Sequence, residues 1–198
     1  MSAFSGSPDG GEKGKQLRVD AAYFERYCGR GPYARIYREH SGIGNCIAAL
    51  RRERIAVGSL LVLGAATGEV LADFEHAFGV RPFGCELSSW AHARIPARFR
   101  RRIRRADLRR YLPELVRAGR HFDVLFTSAL VYVRERDVAA ALAASARLAR
   151  FFHFYSSTSE DFEPADRHRV LLRPRAWWRA RFAAAGWSPT RSPYLWRV

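Results

Sequence analysis

The chain has 198 residues, enough for one domain with its own apolar core and too few for two of ordinary size. Its formal charge is +15, yet Lys13 and Lys15 are its only lysines, which excludes a phosphate-loop lysine, a pyridoxal Schiff base and a Tyr-x-x-x-Lys dehydrogenase dyad from the folded part. No apolar stretch approaches the roughly 18–20 residues that cross a bilayer, and Cys28, Cys46 and Cys85 form no CxxC pair, so the reading is a cytoplasmic protein with reduced thiols and no membrane partner, disulfide frame or zinc site.

Met1 to Lys15 is polar and Gly/Ser-rich, lacks the apolar core of a signal peptide and reads as a disordered leader. Residues 16–58 read as an N-terminal helical cap. Asp20 is a helix N-cap with Tyr23, Phe24 and Tyr27 at helical spacing, and Gly29-Arg30-Gly31-Pro32 breaks that helix. A second amphipathic run follows through Tyr33, Ile36, Tyr37, Ile43, Ile47 and Leu50.

From Ser59 the pattern changes, and residues 59–198 read as one α/β domain. Strands are expected at Ser59–Gly64, Pro82–Leu87, Ile103–Ala106, Phe122–Ser128 and Phe151–Tyr155. Helices are expected at Gly68–Phe78, Ser89–Ile95, Leu108–Val116, Asp137–Ala149 and Pro174–Ala185, the last ended by Gly186. Ser156–Asp166 reads as a polar loop, and Trp187, Tyr194, Leu195 and Trp196 as one or two antiparallel edge strands. Strands alternating with helices indicate a doubly wound, mostly parallel sheet, in which ligands bind beyond the carboxyl ends of the strands.

Four strand ends carry the informative residues. After the first strand, Gly64-Ala65-Ala66-Thr67-Gly68 is a small-residue turn into a helix, spaced Gly-x-x-x-Gly rather than as a dinucleotide fingerprint. Glu86 closes the second strand 22 positions after Gly64, near the ~20-residue interval at which a carboxylate meets a bound ribose. Asp107, after the third strand, either caps the next helix or accepts from an adenine amino group, or does both. Ser128 and Ala129 follow the fourth strand. Asp123 starts that strand at the remote end and reads as structural.

The glycine turn, the acidic end of the second strand, the Asp after the third and the Phe122-Asp123-Val124 strand together resemble the class I (Rossmann-like) S-adenosylmethionine-dependent methyltransferases. The resemblance runs from Ser59 to about Trp187, and Gly186-Trp187 after Trp177, Trp178 and Phe182 looks like that family's late Gly-aromatic pair. It implies S-adenosyl-L-methionine as cofactor. It also implies that Gly64, Ala65, Ala66, Thr67 and Gly68 line the methionine part and ribose, and that Glu86 binds the ribose hydroxyls. Leu87, Asp107 and Leu108 would frame adenine, Ser128 and Ala129 would contact the sulfonium side, and Tyr23 and Tyr33 would be either lid residues or plain core. Two positions depart from the family: Val62 stands where an acidic residue is usual, and Ala66 where a glycine is.

Methyl transfer to oxygen or nitrogen can need a base, and His168 is the candidate, with Glu160 and Asp161 on the same loop. His153, inside an aromatic strand, reads as a core histidine. No Pro-Pro or Pro-Cys pair exists, which sets aside the amino-methylating and cysteine-nucleophile enzymes of DNA bases, and no Asp/Asn cluster supports a metal-dependent type. The leading expectation is methyl transfer to an O or N atom of a small-molecule acceptor. RNA, drawn by the arginines between Arg98 and Arg110, is the alternative partner, and a catalytically degenerate scaffold is the third reading.

Overall fold

The computed structural model describes residues 21–27, 42–155 and 169–198. Its centre is a seven-stranded sheet in the order β3-β2-β1-β4-β5-β7-β6, formed by β1 (Leu60–Leu63), β2 (Phe83–Glu86), β3 (Ile103–Arg105), β4 (Phe122–Thr127), β5 (Ala149–Phe154), β6 (Ser188–Pro189) and β7 (Leu195–Arg197). The first five are mutually parallel, with Leu61 opposite Phe83 and Leu125, and Phe126 opposite Val62 and His153. β7 runs antiparallel to β5, and β6 antiparallel to β7. The parallel sheet and the antiparallel tail are as the sequence pattern led one to expect.

Alternate strand residues face opposite layers. Leu61, Leu63, Leu125, Phe152 and Phe154 join a core with α6 (Leu108–Arg117), α7 (Glu135–Leu148) and α8 (Arg175–Ala184), where Trp187 donates its indole N–H to the Leu142 carbonyl at 3.2 Å. Leu60, Val62, Val124, Phe126 and Leu195 face the other layer, with α2 (Ile43–Arg52), α3 (Glu69–Phe78) and α5 (Ala97–Arg100). β1 is buried along its whole length, which is why its sequence is an uninterrupted apolar run.

The helix ends follow the local chemistry. Ser88 caps α4 (Ser89–Arg94) by accepting from the Ala91 amide, and Asp107 caps α6 by accepting from the Arg109 amide. Gly186 (φ 88°) ends α8, with the Trp187 amide bonded to the Phe182 carbonyl. Asp123 accepts from the amides of Gly58 and Ser59, pinning the amino end of β1 to that of β4, which is a structural role.

Some boundaries differ from the sequence expectation. α7 begins at Glu135 rather than Asp137, since Glu135 and Asp137 both favour its first turn. It passes into β5 at Ala149 with no loop, so that strand starts two residues early. A short 3-10 helix, Ala129–Tyr132, occupies a segment with no expected element, and α5 was likewise not foreseen. In the expected cap, α1 (Ala21–Tyr27) and α2 are present, while the Gly29–Pro32 break lies outside the described residues.

Candidate functional site

The sheet order reverses between β1 and β4: the chain steps one way through β1, β2 and β3 and the other way through β4 and β5. The crevice beyond the carboxyl ends of β1 and β4 is therefore the place where a sheet of this kind takes its ligand.

Three of the five residues in the turn after β1 are left-handed: Gly64 (φ 78°), Ala66 (φ 49°) and Gly68 (φ 97°). The amides of Gly64 and Ala65 both reach the Cys85 carbonyl, at 3.0 and 3.1 Å, which folds the turn over the end of β2. A Cβ on Gly64 would lie 2.9 Å from that of Ala129, so the turn after β1 and the segment after β4 abut. The Thr127 hydroxyl reinforces this contact by donating to the Leu63 carbonyl at 2.8 Å. Thr67 donates its hydroxyl to Glu69 at 2.7 Å, holding the first turn of α3.

Glu86 is buried at the end of β2, 6% exposed. One carboxylate oxygen accepts from the Ala66 amide at 2.8 Å and the other from the Ser88 amide at 2.7 Å. The side chain is thus the clamp that holds Ala66 in its left-handed conformation. Burial pushes its pKa up to about 7, against the opposing pull of the backbone amides of Ser88, Ala66 and Leu87. A carboxylate offers about four acceptor positions, and the amides of Ala66, Ser88 and Leu87 use up to three of them. Leu87, the next residue, is 44% exposed, an apolar surface beside a polar anchor.

Asp107 is more committed than sequence reading alone indicates. Besides capping α6, it receives the Arg109 guanidinium at 2.6 Å, and Arg109 also reaches Asp137 at 2.9 Å. Burial raises the Asp107 pKa, but the bonds from Arg109 outweigh it and leave the carboxyl below its ordinary value. The capping role is realised, and both oxygens already hold guanidinium contacts. Leu108 is half-buried against the α6–α7 core.

Val62 is fully buried beside Phe126 of the neighbouring strand, so at this position the chain offers the site a packed apolar side chain in place of a polar anchor. His153 is likewise buried, stacked on Phe126 with ring centroids 5.7 Å apart, consistent with its reading as a core histidine. Tyr33, His168, Glu160 and Asp161 lie outside the described residues.

The N-terminal helix α1 lies over this crevice. Phe24 is buried with Ala66 and Ala91 and stacks on Trp90 at 5.0 Å, while the Tyr23 hydroxyl meets that of Tyr132 at 3.0 Å. Trp90 and Tyr132 were not identified from sequence. Nothing in the local pattern of α4 or of the segment after β4 tells which aromatic side chains α1 will meet.

Among the described residues no group of His, Cys, Asp and Glu is arranged to hold a metal ion, and no helix is long and apolar enough to cross a membrane. No protein-family model and no curated protein sequence matches the chain. Solved structures do resemble it. A sugar N-methyltransferase from Streptoalloteichus is 19% identical at a TM-score of 0.61, over 99% of this chain and 97% of that one. The magnesium protoporphyrin IX methyltransferase of Synechocystis, solved with S-adenosylmethionine bound, is 15% identical at a TM-score of 0.61, over 88% and 86%. An amino pentose methyltransferase from Micromonospora echinaspora is 26% identical at a TM-score of 0.51, over 69% of this chain and 57% of that one. The sheet order, the glycine turn and these likenesses together show that the chain has the class I S-adenosylmethionine-dependent methyltransferase fold.

Proposed function

We propose that the protein is an S-adenosylmethionine-dependent methyltransferase acting on an O or N atom of a small-molecule acceptor. The observation that carries this reading is Glu86, a buried carboxylate whose acceptor positions are not all taken by backbone amides, opposite a turn of left-handed residues at the point where the strand order reverses. These residues fit the cofactor. Glu86 would take the ribose hydroxyls, the turn Gly64–Gly68 the adjoining backbone approach, and Leu87 an adenine face. When bound, the cofactor supplies a methyl group on a positively charged sulfur. Charge is lost as that group is transferred, so the protein's share is chiefly alignment of the acceptor and exclusion of water. The α1 helix, packed over Ala66 and Trp90, serves the second need.

Support for a small acceptor comes from the similar solved structures, two of which are described as sugar or amino pentose methyltransferases. Commitment within the arginine run also favours it over RNA. Arg98 pairs with Glu75, Arg104 with Glu114 and Arg109 with Asp107 and Asp137, while Arg100 and Arg102 donate to backbone carbonyls.

Calorimetric titration with S-adenosylmethionine and with its demethylated product tests the reading, with Glu86→Ala as control. Micromolar binding that the substitution weakens at least tenfold, about 1.4 kcal/mol, is the expected result. Absence of heat with both ligands would remove the basis for the enzyme assignment.

A further inference from the structure

The sheet order gives the crevice a direction. Glu86 stands over β2, the glycine turn over β1, and the segment from Ser128 to Tyr132 over β4, three adjacent strands. On the proposed reading, a ligand whose ribose is held at Glu86 and whose chain crosses the turn brings its reactive end toward β4. The side chains gathered on that side therefore meet the acceptor.

Among the described residues, that side is aromatic. Ala129, which touches Gly64, starts the 3-10 helix that ends at Tyr132. In such a helix positions i and i+3 share a face, so Tyr132 stands on the same edge as Ala129. Its backbone is held firmly, since Leu130 and Val131 are buried and the Val131 carbonyl accepts from the Leu171 amide at 2.9 Å. Across from it, Tyr23 on α1 brings its hydroxyl within 3.0 Å of the Tyr132 hydroxyl, with the two rings edge to face at 6.4 Å. The neighbouring Phe24 packs edge-on to Tyr23 at 5.1 Å and lies flat on Trp90, whose ring also has the Arg94 guanidinium 3.7 Å from its centroid. The mouth of the crevice thus has aromatic walls and a pair of phenolic hydroxyls, joined across 109 residues of sequence.

A phenolic hydroxyl can accept a hydrogen bond as well as donate one. We propose that Tyr132, with Tyr23 opposite, binds the acceptor's nucleophilic atom through its N–H or O–H. The site then selects a small amine or alcohol with a flat or apolar body, and excludes acceptors that present a thioether or a bare carbon. Hydrogen bonding of this kind orients a lone pair and leaves the nucleophile neutral. Tyr23 arrives with α1, so the same contact that completes the acceptor seat also covers the crevice. The assignment rests on the cofactor reading given above.

Sinefungin tests it without knowledge of the acceptor, because this analogue carries an amine in place of the sulfonium methyl and so presents an N–H donor at the reacting position. Calorimetry on the full chain compares sinefungin with S-adenosylhomocysteine for the unsubstituted protein, Tyr132→Phe and Tyr23→Phe. The expected result is that Tyr132→Phe weakens sinefungin about tenfold, or 1.4 kcal/mol, and leaves S-adenosylhomocysteine within twofold. Tyr23→Phe should move the ratio in the same direction. Equal weakening of both ligands would reduce Tyr132 to a packing residue and overturn the assignment, as would an unchanged ratio in both variants. Should Tyr132→Phe fail to fold by circular dichroism, the ratio in Tyr23→Phe decides alone. Failure of both ligands to bind the unsubstituted protein is a separate result: it removes the cofactor reading itself.

Discussion

Ala66 holds a left-handed backbone (φ 49°) that costs an alanine on the order of 1 kcal/mol, and its amide bond to Glu86 keeps it there. Ala66→Gly should therefore raise stability by up to about 1 kcal/mol in urea denaturation, the relief of strain exceeding the extra chain entropy of glycine. Glu86 carries a sharper expectation. Its pKa, raised to about 7 by burial, lies above the ordinary carboxylate value near 4.3, so the folded state holds a proton that the unfolded chain has lost. The group's contribution to stability then declines as pH rises from about 4.5 to 7. Ribose hydroxyls donate to the ionised carboxylate, so cofactor affinity should move the opposite way, about tenfold tighter at pH 8 than at pH 5.5. Titration calorimetry of Glu86→Gln at both values should show that dependence flattened. His153 is the reverse case. Burial lowers its pKa to about 3, and among the described residues neither ring nitrogen has a hydrogen-bond partner. The unfolded chain takes up a proton near pH 6.5 that the folded state refuses, so stability is lost as pH falls from 6.5 toward 3. His153→Phe keeps the ring against Phe126 and removes two unsatisfied atoms. It should stabilise the fold by about 1–3 kcal/mol at neutral pH and flatten the acid side of the stability curve.

Among the elements, β1 and β2 approach so closely that a Cβ on Gly84 would lie 2.1 Å from the Val62 carbonyl oxygen, nearer than real atoms come. Gly84→Ala must push the two strands apart, and since the glycine turn and Glu86 sit on their ends, the site moves with them. A stability loss of about 1–3 kcal/mol is expected in thermal denaturation, with cofactor affinity falling beyond what that loss alone explains. The central strands were legible in the sequence for a physical reason: a parallel strand buried on both faces must be an apolar run, and Leu60–Leu63 and Val124–Phe126 are such runs. The 3-10 helix Ala129–Tyr132 was not legible. One turn buries too few side chains to impose a period, and its residues read equally well as an extension of the strand before it. The join between α7 and β5 escaped for a related reason, since Leu148 and Ala149 are both buried and no glycine or proline marks the change.

At the scale of the whole molecule, the sequence pointed to the strand-end side of the candidate site and, on the aromatic side, to Tyr23 but not to Tyr132 or Trp90. The turn, Glu86, Asp107 and Ser128–Ala129 each follow a strand, so topology alone brings them to one edge. The aromatic mouth depends on how α1 packs across the sheet, a contact between Tyr23 and Tyr132 that no local pattern encodes. The net charge of +15 belongs to this scale as well. It spreads over a surface where much of the arginine run is already engaged, and Arg101, Arg105 and Arg110 remain exposed at or beside the edge strand β3. Exposed charge on an edge strand opposes sheet-to-sheet association. It also gives a definite expectation for RNA. If these three arginines are the phosphate contacts, affinity for a single-stranded 20-nucleotide RNA should fall roughly twentyfold between 50 and 200 mM salt, from a slope of about −0.7 per contact. Fluorescence anisotropy at the two salt concentrations measures this, and replacing all three by serine should abolish most of the slope while leaving the cofactor titration unchanged. Tight binding that survives 200 mM salt, with label from S-adenosylmethionine appearing in the RNA, would instead make RNA the acceptor and the aromatic mouth a seat for an exposed base.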